Sequence, residues 1–250
     1  MSKRVGLFVT CLVDLVRPQV GFAAVKLLEA AGCDVEVPAT QTCCGQPAWN
    51  AGADAHTRDI ARSVIDTFEP FDYVVVPSGS CAGMIARHYA EALESDAAYA
   101  KRARGLAAKT YELTSFLVRI CGMSGVSAKC PARASYHDSC SSLREMGVKA
   151  EPRQLLQSVE GFALSELSDG QVCCGFGGLF SVKYPEISER MADDKLADAE
   201  KAGAELLVGG DLGCLLHLAG RAEREGKRLR LRHVAEVLAD MGDTPALGES

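Results

Sequence analysis

Eleven cysteines stand at positions 11, 33, 43, 44, 81, 121, 130, 140, 173, 174 and 214. Two adjacent pairs are each followed by glycine: Cys43-Cys44-Gly45 and Cys173-Cys174-Gly175. Cys11 precedes Cys43 by 32 positions, and Cys140 precedes Cys173 by 33. Cys81 follows Cys44 by 37, and Cys214 follows Cys174 by 40. One ordered pattern thus occurs twice: Cys11, Cys43, Cys44 and Cys81, then Cys140, Cys173, Cys174 and Cys214. Packing gives no reason to keep adjacent thiols, since neighbouring side chains diverge in regular structure. Four thiolates per half suit zinc or an iron–sulfur cluster equally well by count. Structural zinc usually sits on short Cys-x-x-Cys knuckles. Ligands drawn from three distant loops suit a cavity prebuilt by a whole domain. That favours a cluster in each half and leaves zinc possible at one site.

The elements that must position these cysteines follow from apolar runs. Val5-Gly6-Leu7-Phe8-Val9, Tyr73-Val74-Val75-Val76, Ala134-Ser135-Tyr136-His137 and Ala204-Glu205-Leu206-Leu207-Val208 read as strands. A flanking cysteine lies just past each. Helices are expected over 19–31, 52–68, 82–93, 110–121, 152–158, 185–202, 215–225 and 232–241. Strands alternating with helices predict an α/β chain. Its two pseudo-symmetric halves, 1–125 and 126–250, each form a mainly parallel sheet flanked by helices, from an internal duplication. Ligands collect at the carboxyl ends of parallel strands, and helix N-termini there favour thiolates. Ser80 and Asp211 are expected N-cap or turn residues. Gly45 and Gly175 suit sharp turns that let two successive cysteines face one cavity.

Composition narrows the function classes. The chain has 250 residues, 27 Lys+Arg against 33 Asp+Glu, and net charge −6. It lacks the basic face that neutralises phosphates, so a nucleic-acid partner is not expected. No stretch of about 18 apolar residues predicts a membrane span. The opening residues do not read as a signal peptide, which predicts a cytoplasmic, reducing setting where clustered thiols bind metal or do redox chemistry.

With its motifs in view, the chain resembles the cysteine-rich CCG-domain family of iron–sulfur oxidoreductases. That family includes the cysteine-rich catalytic component of heterodisulfide reductase and the iron–sulfur component of glycolate oxidase. In the first half the matching segments are Val9-Thr10-Cys11-Leu12-Val13-Asp14, Gln41-Thr42-Cys43-Cys44-Gly45-Gln46-Pro47 and Pro77-Ser78-Gly79-Ser80-Cys81. In the second they are Tyr136-His137-Asp138-Ser139-Cys140, Val172-Cys173-Cys174-Gly175-Phe176-Gly177-Gly178 and Gly210-Asp211-Leu212-Gly213-Cys214. The resemblance implies iron–sulfur clusters held by the eight cysteines. The family's fuller motif ends Cys-x-x-Cys and gives five cysteines per site. Met84 and His217 stand at that last position here, which makes a conventional [4Fe-4S] cluster on four thiolates per half the simpler expectation. Members of about this length imply an electron-transfer subunit that works with partner subunits in oxidising L-lactate to pyruvate. The alternatives are a thiol/disulfide reductase of the heterodisulfide-reductase type and a zinc-bound, non-enzymatic scaffold.

Other residues carry weaker signals. His217 and Met84 follow Cys214 and Cys81 by three positions, on one helix face, and either could add a fifth ligand. His137 could donate a hydrogen bond to cluster sulfur, or be a satisfied strand-end histidine. Asp138 is expected as a capping carboxylate, and Trp49 and Phe176 as core. Gly175-Phe176-Gly177-Gly178 lacks a full dinucleotide fingerprint, and nothing reads as a flavin site. Cys33 is expected to be a buried thiol at a helix-to-strand joint. Cys121 and Cys130 bracket the connection between halves, and a disulfide between them is not favoured in a reducing cell. Residues 221–232 read as a solvated helix end and loop, and 242–250 as a frayed tail.

Overall fold

The computed structural model describes residues 2–249. Strands β1 (Lys3–Leu7), β2 (Cys33–Glu36), β3 (Tyr73–Val76) and β4 (Thr110–Glu112) form one parallel sheet in the order β2-β1-β3-β4. Strands β5 (Lys129–His137), β6 (Glu160–Leu164), β7 (Leu206–Gly209) and β8 (Arg230–His233) form a second in the order β6-β5-β7-β8. Strand order and direction are the same in both. The chain is therefore two pseudo-symmetric α/β halves, each a parallel sheet flanked by helices.

The central strands are the ones the apolar runs reveal. Val74, Val75 and Val76 of β3 and Leu206, Leu207 and Val208 of β7 are all buried, as strands covered on both faces must be. The outer strands are short and mixed, and two overturn helix expectations. Thr110–Glu112 and Arg230–His233 are strands, and the helices there begin only at Leu113 and Val234. Arg232 is buried inside β8, so the stretch 221–232 is not a solvated loop throughout. Leu247 pairs antiparallel with Leu231, and Ala246 and Leu247 are buried, so the tail is docked rather than frayed up to that point.

One apolar cluster threads both halves, joining Leu7, Leu28 and Phe116 to Leu207, Leu215 and Leu238. The helix Gln19–Ala30 shows why. Its Val20, Ala23, Ala24, Leu27 and Leu28 recur at helical spacing and are buried. Beside it lies the end of the helix Val234–Leu238 from the other half, where Lys26 Nζ donates to the Ala239 carbonyl at 2.6 Å. Arg17 reaches across the same seam to the fully buried Glu236 at 2.8 Å. A second cluster, around Phe8, Phe68, Met84 and Tyr89, lies within the first half.

Candidate metal centres

Both cysteine sets assemble where strand order turns back. β1 and β3 are neighbours, as are β5 and β7, and connections leaving such a pair diverge and open a crevice. Cys11 opens the helix Cys11–Val16 after β1, and Cys81 lies in the helix Gly79–Gly83 after β3. Cys140 opens the helix Cys140–Arg144 after β5, and Cys214 lies in Leu212–Arg224 after β7. The paired cysteines arrive on the loops after β2 and β6. Those loops close on Gly45 at φ +84 and Gly175 at φ +88. A Cβ at Gly175 would stand 2.6 Å from the Ser188 carbonyl oxygen, so both conformation and close approach require glycine.

Within each half the four thiols are in mutual contact. Cys11 Sγ lies 3.9 Å from Cys43 Sγ, Cys43 contacts Cys44, and Cys44 contacts Cys81. The second half repeats the chain as Cys140, Cys173, Cys174 and Cys214. Charge is distributed alike. The thiol hydrogen bonds from Cys11 and Cys44, with the Gly45 N–H at 3.4 Å, hold Cys43 down at about 2. Cys140, Cys174 and the Gly175 N–H at 3.4 Å do the same for Cys173, also at about 2. Bonding to that thiolate, then burial, pushes Cys11, Cys44, Cys140 and Cys174 up. The Cys174 hydrogen bond lowers Cys214, and burial overrides it. Each set is thus one thiolate surrounded by thiols that share it.

Several residues hold these sulfurs in place without announcing themselves in the sequence. Gln41 accepts from the Val9 N–H at 2.8 Å and donates to the Leu7 and Pro38 carbonyls at 3.3 and 3.0 Å. It ties the loop of Cys43 to the end of β1. Gln171 also stands two residues before its cysteine pair, so the repeat itself is a usable signal. Yet its side chain has no such bonds, and only its carbonyl is engaged, by Arg144. Thr10 adopts φ +77 just before Cys11, a strained conformation for a β-branched residue. Tyr89 donates to the Cys44 carbonyl at 2.8 Å, and Ser188 to the Gly175 carbonyl at 2.8 Å.

The expected caps shift. Ser78, not Ser80, caps the helix of Cys81. Asp211 stands at an N-cap but turns its carboxylate across to the other half. One oxygen accepts from the Ser78 hydroxyl and the Ser80 N–H, both at 3.0 Å. Ser139 caps Cys140–Arg144. Asp138 instead pairs with both terminal nitrogens of Arg153, each at 2.8 Å.

Met84 is fully buried among apolar side chains, at the start of the π-helix Met84–His88. The His217 Nε2 donates to Ser188 Oγ at 3.2 Å, because the Ser188 hydrogen is already committed to Gly175. Trp49 stacks on His88 at 5.5 Å. Phe176 is half-buried against the core and lines a cavity of about 160 Å³. That cavity is shared by Cys11, Cys44 and Cys81 with Asp211 and Gly213 of the other half. Cys33 is buried at the start of β2, and its sulfur lies 3.8 Å from Cys121 rather than leaving Cys121 to Cys130. His137 is buried with both ring nitrogens unpartnered. One of them lies within 4.8 Å of Cys174 Sγ and Cys214 Sγ.

These donor sets fit a metal group. Soft thiolates select zinc and iron–sulfur clusters, backbone N–H groups already face the sulfurs, and a buried imidazole stands beside the second set without a partner. No helix among the described residues is long and apolar enough to cross a membrane.

The family model of the cysteine-rich CCG domain matches twice, at residues 5–86 and 134–219. The chain is 47% identical over 235 residues to lactate utilization protein A of Halalkalibacterium halodurans, covering 94% of this chain and 96% of that one. It is 48% identical to the protein of the same name from Shouchella clausii, covering 94% and 98%. Among solved structures, a hypothetical protein from Helicobacter pylori superposes with a TM-score of 0.64 at 12% identity. That match covers 99% of this chain and 52% of the other, and it speaks to the fold alone.

Proposed function

The chain belongs to the cysteine-rich CCG family, and from that premise we propose that its two cysteine sets each hold a [4Fe-4S] cluster. We further propose that the chain serves as the electron-transfer subunit of a cytoplasmic oxidoreductase complex oxidising L-lactate to pyruvate. The observation that carries this is the repeated gathering of four thiols, Cys11, Cys43, Cys44 and Cys81, then Cys140, Cys173, Cys174 and Cys214, at two equivalent strand-order reversals. Bound clusters would supply one-electron transfer at potentials set by their surroundings.

The chain's own residues do the rest. The eight cysteines are the ligands, and loading must displace the thiol protons, because thiolates are what metals take. The N–H groups of Gly45 and Gly175 stabilise the anionic sulfurs. Gln41 and Asp211 fix the loops that carry them. Burial of Cys44, Cys81, Cys174 and Cys214 keeps water from the inner face of each set. Removal of hydrogen from lactate is assigned to partner subunits, with residues 1–125 and 126–250 as the two duplicated electron-carrying units. The relatives' name, lactate utilization protein A, supports the lactate assignment.

A specific distance favours a second reading at one site. The 3.9 Å between Cys11 and Cys43 is close to the roughly 3.8 Å edge of a tetrahedron of sulfurs about 2.3 Å from a single ion, the geometry of zinc. Metal and acid-labile sulfide analysis of anaerobically purified protein decides. Two four-iron clusters give about eight irons and eight sulfides per chain. Cys44→Ser and Cys174→Ser should each halve that content and remove a different paramagnetic signal. Zinc without sulfide in either half would replace the cluster there, and in both halves would overturn the electron-transfer function.

A further inference from the structure

The two sites are built alike except at one position. Three residues before the first cysteine of each set, the first half has Phe8 and the second has His137. Phe8 is fully buried, its ring 5.5 Å from that of Phe68. The fold therefore accepts a plain aromatic ring at this strand end, and packing does not call for an imidazole there. His137 is equally buried, yet neither of its nitrogens has a hydrogen-bond partner among the described residues. A buried imidazole without a partner is costly, so the group that satisfies it should be one that binds there.

The neighbours of that nitrogen indicate what binds. It, Cys174 Sγ and Cys214 Sγ all lie within 4.8 Å of one another. Atoms bound to one metal ion at about 2.0 Å for nitrogen and 2.3 Å for sulfur can be at most roughly 4.6 Å apart. The three atoms stand close to that limit before any ion draws them in. His217, the histidine on the Cys214 helix, is engaged with Ser188.

We propose that His137 is a nitrogen ligand of the metal group held by the second cysteine set. The second site is then a mixed thiolate–imidazole site, while the first, with Phe8, is all thiolate. The two centres are inequivalent in potential as a result, since replacing thiolate character with imidazole raises cluster potentials. This rests on the metal-binding function proposed above.

The test uses the full chain with the first set disabled by Cys44→Ser, loaded anaerobically with iron and sulfide, and labelled with ¹⁵N-histidine. Pulsed paramagnetic resonance should show hyperfine coupling from a coordinated nitrogen that changes with the isotope. X-ray absorption at the edge of whichever metal is bound should show imidazole outer-shell scattering. Both signatures should survive His217→Phe and vanish in His137→Phe, which installs the ring the first half already carries. Bound metal with no nitrogen signature in the labelled chain overturns the proposal while leaving the metal site standing. So does a signature that survives His137→Phe. The labelled chain itself carries the test if His137→Phe does not fold. A chain that binds no metal at the second set overturns both.

Discussion

Asp211 belongs to the loop of the second site but holds the loop of the first. Its carboxylate takes the Ser78 hydroxyl and the Ser80 N–H, each at 3.0 Å, on one buried oxygen. Ser78 in turn caps the helix that carries Cys81. Hydrogen bonds to a charged group contribute about 1.5–3 kcal/mol each. Asp211→Ala removes two and should cost about 3 kcal/mol after partial rehydration of the exposed rim. Asp211→Asn keeps an acceptor and loses the charge, roughly half the strength of such bonds, and should cost about 1 kcal/mol. If the loss falls on the geometry of Cys81, a tenfold change per roughly 1.4 kcal/mol gives about a hundredfold weaker hold on metal at the first set. The assay is the rate of metal loss to a chelator in a Cys174→Ser background, where only the first set is loaded. Asp211→Ala should release metal fastest, Asp211→Asn at an intermediate rate. Equal rates for all three would refute the link between the loops.

Other consequences can be checked independently. Gly79 packs so closely that a Cβ would collide with Ser142 Oγ and stand 2.8 Å from Ser142 Cα. Gly79→Ala should therefore push apart the helices of Cys81 and Cys140 and lower stability by about 3 kcal/mol, the upper end for overpacking, measured by urea denaturation. Arg17→Ala strands the buried Glu236 carboxylate, which keeps only the His233 N–H. The cost should be about 3 kcal/mol, and a midpoint unchanged from the parent would rule out a structural role for the ion pair. In the metal-free chain burial, then Lys195, lowers His137 to about 4, and burial lowers His233 as well. The unfolded chain then binds protons that the folded chain does not. Stability should hold above about pH 6.5 and fall by about 3 kcal/mol for His137 alone as pH drops towards about 4. A flat stability profile across that window would contradict the burial.

How much of this is legible follows from what each residue depends on. The central strands announce themselves because both faces are covered, and Val74-Val75-Val76 or Leu206-Leu207-Val208 can be little else in an α/β chain. The edge strands do not. Arg230-Leu231-Arg232-His233 buries only part of its surface, runs straight into a helix, and so reads as loop and helix. Cysteine spacing reveals both quartets because duplication preserved it. The residues that hold them are hidden because their partners are distant in sequence: Gln41 with Val9, and Asp211 with Ser78 133 positions away. His137 is ambiguous for the same reason, since a strand-end histidine is ordinary until its nitrogens are found without partners.

Ser78 and Asp211 also show how the duplication became a single molecule. They occupy corresponding positions, three before Cys81 and three before Cys214. In a strict repeat such positions carry like residues, and two carboxylates or two hydroxyls meeting across the seam would repel or bond weakly. Here one half supplies the donor and the other the acceptor. The same divergence recurs where Arg17 meets Glu236, and where His233 Nε2, its Nδ1 already accepting from the Ala235 N–H, donates to the Pro77 carbonyl at 3.1 Å. Each of these contacts needs unlike partners from the two halves, and each sits within or beside a loop that carries a cysteine or the helix that covers one. Loss of symmetry at the seam is thus what fixes the two symmetric thiol sets relative to each other, and it predicts that exchanging Ser78 with Asp211 in a double variant should restore more of the first set's metal retention than either single change leaves.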